Sequence, residues 1–458
     1  MPFTPRSIDD SMFKIRNLRL HALPALALLA GAAAGAHAAE EPFEAWTARV
    51  QTTYIWQKKP GFDAPYSGQN SLIANRERSY TFTTTGYFGA RPWTGGEIYF
   101  NPEVTQGVPF SNLAGLGGFT NGEVTKVSGT NPKVYRQRLF LRQTWNLGGE
   151  REQVEPDLNQ MAGLVDRNRF VLTVGNFSTL DVFDDNAYAK DPRAQFMNWS
   201  NWAYAAYDYA ADARGYGWGF AGEWYRGDWI LRFGRMTGPR EPNGLPIDYQ
   251  IGRHYGDQVE LEHAHMLGAL PGRVRLLAWR NRANLASFRD ALNYGIANPG
   301  DPDHQWIFKA RNGEKIKYGY GVNVEQAVSN SAGVFLRAMN TDGRTETYAF
   351  TEVDASLSAG LSVKGGTWGR AKDVAGVALA RNMLGPDRRS YLAAGGISFF
   401  IGDGALRYAP ETIFETYYSL NIWKAVGVTL DYQRVQNPAY NADRGPANFI
   451  ALRLHAEF

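Results

Sequence analysis

Cysteine is absent from this 458-residue chain. That absence excludes a disulfide framework, a thiolate metal site and a thiol nucleophile. Long apolar runs are missing as well. The mean hydropathy is −0.38, whereas a bundle of membrane helices needs several runs of about 20 apolar residues. A membrane β-barrel escapes that test, because only alternate residues of its strands face lipid. No Gly-x-Ser-x-Gly occurs, so the chain offers no nucleophile elbow. No internal repeat of fixed length argues for a propeller or a solenoid. Charge of one sign is also scarce, with 48 Lys and Arg against 45 Asp and Glu.

The N-terminus carries a pattern of its own. Lys14, Arg16 and Arg19 precede an apolar run from Leu23 to about Ala34, followed by Ala36, His37 and Ala38. A charged segment, a short apolar segment and a small-x-small site together make a secretory signal peptide. Residues 1–38 are therefore read as a leader and 39–458 as the mature chain. The polar stretch before Met12 leaves a start at Met12 open. The leader holds four basic side chains (Arg6, Lys14, Arg16, Arg19) and two acidic ones (Asp9, Asp10). Its removal lowers the net charge from +3 to +1. A nearly neutral mature chain has no bias toward nucleic acid.

The last strand is the cleanest element. Ile450, Leu452, Leu454, Ala456 and Phe458 share one face, and Arg453, His455 and Glu457 the other. A period of two with charges on alternate residues demands one apolar and one wet surface. Similar segments recur at 44–57, 79–90, 94–103, 137–147, 167–175, 214–226, 228–237, 256–267, 272–282, 316–328, 332–341, 358–367, 373–381, 412–421, 424–434 and 448–458. These predict an all-β fold, a transmembrane antiparallel β-barrel of about sixteen strands. Segment 389–401 fits either a strand or a loop. Tight connections near Gly227 and Gly268 alternate with long ones, 148–166 among them, as periplasmic turns alternate with extracellular loops.

About sixteen strands enclose an aqueous channel unless something fills it. Too little chain lies between the leader and the first strand for a plug domain, so inward loops and lumen side chains must set selectivity. Loop 176–213 is the candidate constriction. It carries Asp181, Asp184, Asp185, Asp191 and Arg193, then Trp199, Trp202, Tyr204, Tyr207 and Tyr209. Rings beside carboxylates and guanidinium groups suit sugars, which present both C–H faces and hydroxyl groups. The same rings could instead only pack the loop. Arg138, Arg142 and Arg169, continued by Arg232 and Arg275, form a basic ladder. Glu97, Glu103, Glu223, Glu260 and Glu262 supply an opposing acidic wall. Such ladders either set up a transverse field or bridge one another and keep the barrel round. His263 and His265 share a strand face near His254, but no further ligands complete a metal set. The Gly115–Gly122 stretch lacks the strand–helix context of a nucleotide site and reads as a flexible surface loop. No cofactor or metal is expected.

Three runs carry a family likeness. GGEIYFNPEVTQGVPFSNLAGLGGFTNGE (95–123), VGNFSTLDVFDDNAYAKDPRAQFMNW (174–199) and the tail NPAYNADRGP…RLHAEF resemble carbohydrate-selective porins of the glucose-porin type from Gram-negative outer membranes. The likeness spans about Trp46 to Phe458. It implies a sixteen-stranded barrel that passes mono- or oligosaccharides by facilitated diffusion through an arginine-rich constriction. The terminal aromatic, Phe458, resembles the signature that barrel assembly machinery reads. The expected constriction residues are Arg138, Arg142, Arg169, Glu97, Asp184, Asp185, Trp199 and Trp202. Sugars, outer-membrane lipid and the assembly machinery are the expected partners, with a homotrimer and a monomer both open. The competing readings are a polysaccharide export channel and a barrel-borne lipid-modifying enzyme.

Overall fold

A computed structural model describes residues 43–458 except 125, 128 and 424. The expected leader lies outside the described residues. In chain order the strands begin with β1 (Trp46–Lys59), β2 (Glu77–Trp93), β3 (Gly96–Val108), β4 (Lys133–Asn146), β5 (Arg151–Val154), β6 (Gly163–Asp166), β7 (Arg169–Phe177), β8 (Gly217–Arg226) and β9 (Trp229–Met236). They continue with β10 (Tyr255–Leu267), β11 (Leu270–Asn284), β12 (Glu314–Ala327), β13 (Ala332–Thr341), β14 (Ala355–Gly365), β15 (Arg370–Met383), β16 (Glu411–Trp423), β17 (Val426–Gln436) and β18 (Ala447–Glu457). All but β5 and β6 form one closed antiparallel barrel of sixteen strands. β1 pairs with β18, from Gln51 opposite Glu457 to Lys58 opposite Ile450, so no sheet edge is left open. Every segment expected as a strand is one.

The alternation along each strand is inverted relative to a soluble barrel. Ile98, Phe100, Leu231, Phe233, Leu430, Ile450 and Leu452 are exposed on the outer face. Glu260, Glu262, Arg275, Arg337, Glu415 and Arg453 are buried inside. An apolar belt outside and charges within satisfy a lipid environment, where the hydrogen-bonded ladder leaves no backbone group for water. Among the described residues no helix is long and apolar enough to cross a membrane.

The two ends of the barrel differ. At one end, most connections have two to four residues. Gly227 and Gly268 open two of these turns with φ of +60° and +63°, the left-handed region that tight hairpins require. At the other end, segments 109–132, 178–216, 237–254, 285–313, 342–354 and 384–410 are long. Segment 147–168 corrects the expected alternation. It is long, yet it joins β4 to β7 at the short-turn end and carries the small hairpin β5–β6. The ambiguous segment 389–401 is no strand; it takes up the end of a helix, Pro386–Ala393, and a loop after it.

The long loops fold together and share a core. Phe288 and Trp306 pack on Tyr391, and Phe119 and Trp199 join Phe350 and Phe400. Gly115–Gly122 belongs to this core, which overturns its reading as a flexible surface loop. The N–H groups of Gly117 and Gly118 donate to the Glu411 carboxylate at 2.9–3.1 Å. A Cβ on Gly115 would lie 1.7 Å from the backbone of Leu72, and one on Gly117 2.3 Å from the Tyr440 hydroxyl. At these positions only glycine leaves room for the neighbouring segments to approach so closely.

Candidate pore constriction

Between the loops and the barrel wall lies a cavity of about 560 Å³. Segment 178–216 crosses the lumen above it, and wall charges hold that segment in place. Asp184, at φ +59°, accepts from Arg337 Nε and Asn323 Nδ2 at 2.7 Å and from the Tyr204 N–H at 2.9 Å. Its own N–H donates to Glu260 at 3.0 Å. Glu415 accepts from the N–H groups of Met197 and Asn198 and from Asn201 Nδ2. Arg453 donates to the carbonyls of Pro192 and Gln195 at 2.7 and 2.8 Å. Asp208 accepts from Lys317 Nζ at 2.8 Å and from the N–H groups of Tyr348, Ala349 and Phe350, which ties this loop to segment 342–354. A charged group buried in protein must be matched to be tolerated. Here the matching is what positions the loop.

Of the expected site residues, Arg138, Arg142, Asp185, Trp199 and Trp202 line the cavity together. Arg138 donates to both oxygens of Asp181 at 2.7 Å, and its guanidinium lies 5.1 Å from the Tyr216 ring. A bulge explains its aim. Arg136 pairs with Pro102 and Arg138 with Asn101, so Gln137 is the extra residue and both Gln137 and Arg138 reach the cavity. Arg142 donates to the Asn159 carbonyl at 2.9 Å and lies 3.6 Å from Glu97. Trp199 and Trp202 have ring centroids 4.9 Å apart, and Trp199 stacks on Phe350, which stacks on Tyr209 at 4.2 Å. With Phe119 these rings make an aromatic wall contributed by three loops.

Three expected residues do other work. Arg169, at the foot of β7, pairs with Glu152 at 2.5 Å and lies over Tyr225, away from the cavity lining. Glu97 stands behind the lining and receives Arg91 and the Tyr99 hydroxyl. Asp184 is the buried loop anchor. Nor do the ladders oppose one another across the lumen. Arg232 is directly opposite Glu223 on β8 and Glu260 on β10, and bonds both as well as Glu262. Arg275 faces Glu262 in the same way. Antiparallel register sets opposite charges on neighbouring strands, so this wall is internally bridged. His263 packs on Trp229, and His265 shares a hydrogen bond with Gln326, both near the short-turn end.

Residues that sequence reasoning passed over complete the lining. Lys126, Arg214, Tyr216 and Glu123 come from the long loops, and Asp157 to Gln160 from the β5–β6 hairpin. Arg193 crosses to the β1–β3 wall, bonding Gln51 at 2.5 Å and Glu103 at 3.1 Å, and pairs with Glu123 of loop 109–132 at 2.8 Å. A lumen role for Arg193 was visible from its loop. That of Lys126 was not, because it sits beside a glycine-rich stretch read as surface.

The loop charges are strongly polarised. Lys190 at 2.6 Å holds the Asp185 carboxyl well below the usual range. Burial works against ionising Asp181, but its bond to Arg138 keeps it low too. Burial pushes Lys126 down to about 7; its Nζ donates to Asn243 and the Ala349 carbonyl and lies 4.9 Å from the Phe350 ring. Lys126 therefore gains a proton, and the cavity a positive charge, as pH falls through that value. The reversal potential under a salt gradient is expected to move toward anion selectivity between about pH 8 and about pH 6. Lys126→Met should flatten that response; an equal response in the variant would assign it to another group.

Residues 90–458 match the model of the carbohydrate-selective porin, OprB family. The high-pH structure of Pseudomonas putida OprB is similar at 14% identity and a TM-score of 0.66, covering 90% of this chain and 94% of that one. The outer membrane channel DcaP of Acinetobacter baumannii is similar at 9% identity and a TM-score of 0.48, covering 90% and 97%. No curated protein sequence matches.

Proposed function

We propose, from the premise that this chain belongs to the carbohydrate-selective OprB porin family, that the cavity beneath segment 178–216 is where its sugars are selected. The chain is an outer-membrane β-barrel through which sugars diffuse into the periplasm, and the family is one of channels rather than enzymes. Short turns then face the periplasm and long loops the outside.

The observation that carries the reading is the pairing of two surfaces in one cavity. Trp199, Trp202, Tyr209, Phe119 and Phe350 offer apolar faces to sugar C–H groups. Opposite chemistry comes from Arg138, Arg142, Lys190, Asp181 and Asp185, whose donors and acceptors suit hydroxyl groups. Because most of these charges are already paired, a sugar exchanges hydrogen bonds with water without having to neutralise a bare ion. Such binding is weak enough to release, as diffusion through a pore requires.

Three further assignments rest on the sequence. Residues 1–38 are the export leader and 39–458 the mature barrel; Phe458 is read by the assembly machinery; monomer and homotrimer are both compatible with the closed barrel. Swelling of proteoliposomes in isosmotic solute tests the transport reading. Neutral sugars should enter several-fold faster than zwitterionic solutes of equal size. Equal rates for both would leave a general pore with no sugar site.

A further inference from the structure

We propose that the β5–β6 hairpin is a second selectivity element, an acidic and amide-bearing sill folded up into the periplasmic mouth of the pore; this rests on the cavity being the conduction path. An up-and-down barrel needs only a two-residue turn between β4 and β7. Residues 147–168 stand there instead, at the end where the other connections are short. Keeping so long a segment ordered costs conformational entropy, which specific contacts must offset.

The contacts converge on the hairpin tip from four consecutive strands. Arg91 of β2 donates to the carbonyls of Met161 and Ala162 at 2.9 and 2.6 Å. The Met161 N–H donates to the Tyr99 hydroxyl of β3 at 3.2 Å, and Met161 is fully buried. Arg142 of β4 donates to the Asn159 carbonyl, and Arg49 of β1 to the Asp157 carbonyl at 3.1 Å. Asp157 and Gln160 exchange two backbone hydrogen bonds, closing a tight tip with Asn159 at φ +53°. The strand stem points away, with Glu150 and Arg151 largely exposed. Its tip is therefore docked inward, while its stem is largely exposed and tied to the barrel foot through Glu152 and Arg169.

What the tip presents is chemically definite. Asp157, Asn159 and Gln160 line the same cavity as Arg138 and Trp199, and Glu457 lies on that lining too. Neither Asp157 nor Glu457 is paired with a lysine or arginine in any ion pair among the described residues, unlike Asp181 and Asp185 above them. Lys126 and Arg214 are contributed by the opposite end. A solute leaving toward the periplasm thus passes from cationic and aromatic groups to carboxylate and amide groups. That order suits a neutral polyhydroxylated solute and repels an anion at the exit.

The absence of cysteine makes a clean test of the full-length protein in planar bilayers. Gln160→Cys, exposed at the tip, should react with a charged methanethiosulfonate reagent and lose current by at least about two-fold in single-channel steps. Glu150→Cys at the stem should react without changing the current. Asp157→Asn should shift the reversal potential toward anions. If Gln160→Cys conducts, is modified and keeps its current, and Asp157→Asn keeps its reversal potential, the sill is overturned. Wild-type conductance is read first: its absence would defeat the channel reading, whereas a conducting but insensitive channel defeats this proposal alone.

Discussion

Asp184→Ala and Asp208→Ala are each expected to release segment 178–216 from the lumen and raise single-channel conductance several-fold. Each carboxylate is buried and answers to several partners. Removing Asp184 leaves the Arg337 guanidinium with backbone carbonyls but no carboxylate, and takes the side-chain acceptor from Asn323 and the Tyr204 N–H. Removing Asp208 strands Lys317 and three N–H groups of segment 342–354. Breaking a buried pair from one side costs about 3–5 kcal/mol, because the charge left behind has no water. The barrel wall does not depend on either residue, since its ladder closes through β1 and β18. The expected outcome is therefore an intact barrel with a wider, noisier pore, and little discrimination among solutes. Asp208→Asn should do less damage, since an amide still accepts from the N–H groups. Unchanged conductance would place the loop's support elsewhere, with Glu415 and Arg453 the next anchors to examine, whereas a barrel that fails to fold would show that the wall itself depends on these carboxylates.

The second large effect is expected at the arginines. Arg138→Ala should weaken sugar binding by about tenfold or more, the worth of a hydrogen bond to a charged group, about 1.5–3 kcal/mol. Arg142→Ala should act similarly and also loosen the hairpin tip, because its guanidinium bonds the Asn159 carbonyl. Losing Arg138 further leaves Asp181 unpaired, so the pore should become more cation-selective. Arg169→Ala is the contrast. Its partners are Glu152 and the Tyr225 ring at the barrel foot, and neither sugar binding nor ion selectivity should move. Noise analysis of sugar-blocked current measures all three. Equal effects at Arg138, Arg142 and Arg169 would mean that their total charge matters rather than their place.

Some of these contrasts are legible in the sequence and others are not. All sixteen barrel strands were legible, because a lipid-facing strand must alternate and its neighbours must match it. Phe100 against Asn101, or Leu231 against Arg232, states the face of each residue locally. Arg138 and Arg142 were legible for the same reason. The loops were not, since their partners lie far away in the chain. Glu411 gives the buried Gly117 and Gly118 their acceptor across nearly 300 residues, and nothing near Gly117 announces it. Asp184 and Asp185 are adjacent and alike in sequence, yet one is a sealed anchor and the other lines the cavity. Which is which depends on Arg337 and Lys190, on a wall and a loop respectively. Arg169 had the right strand phase but the wrong height. Segment 147–168 had the length of an outer loop, and only counting strands through the barrel reveals its end.

On the proposed reading, sugars bind in the cavity between segment 178–216 and the arginine-bearing wall. Titrating neutral sugar into single wild-type channels, then into Arg138→Ala channels, tests it most directly. Current is expected to fall saturably with sugar in the wild type, with a half-blocking concentration raised about tenfold in the variant. Sugar-independent current in the wild type, or an identical titration in the variant, would contradict it.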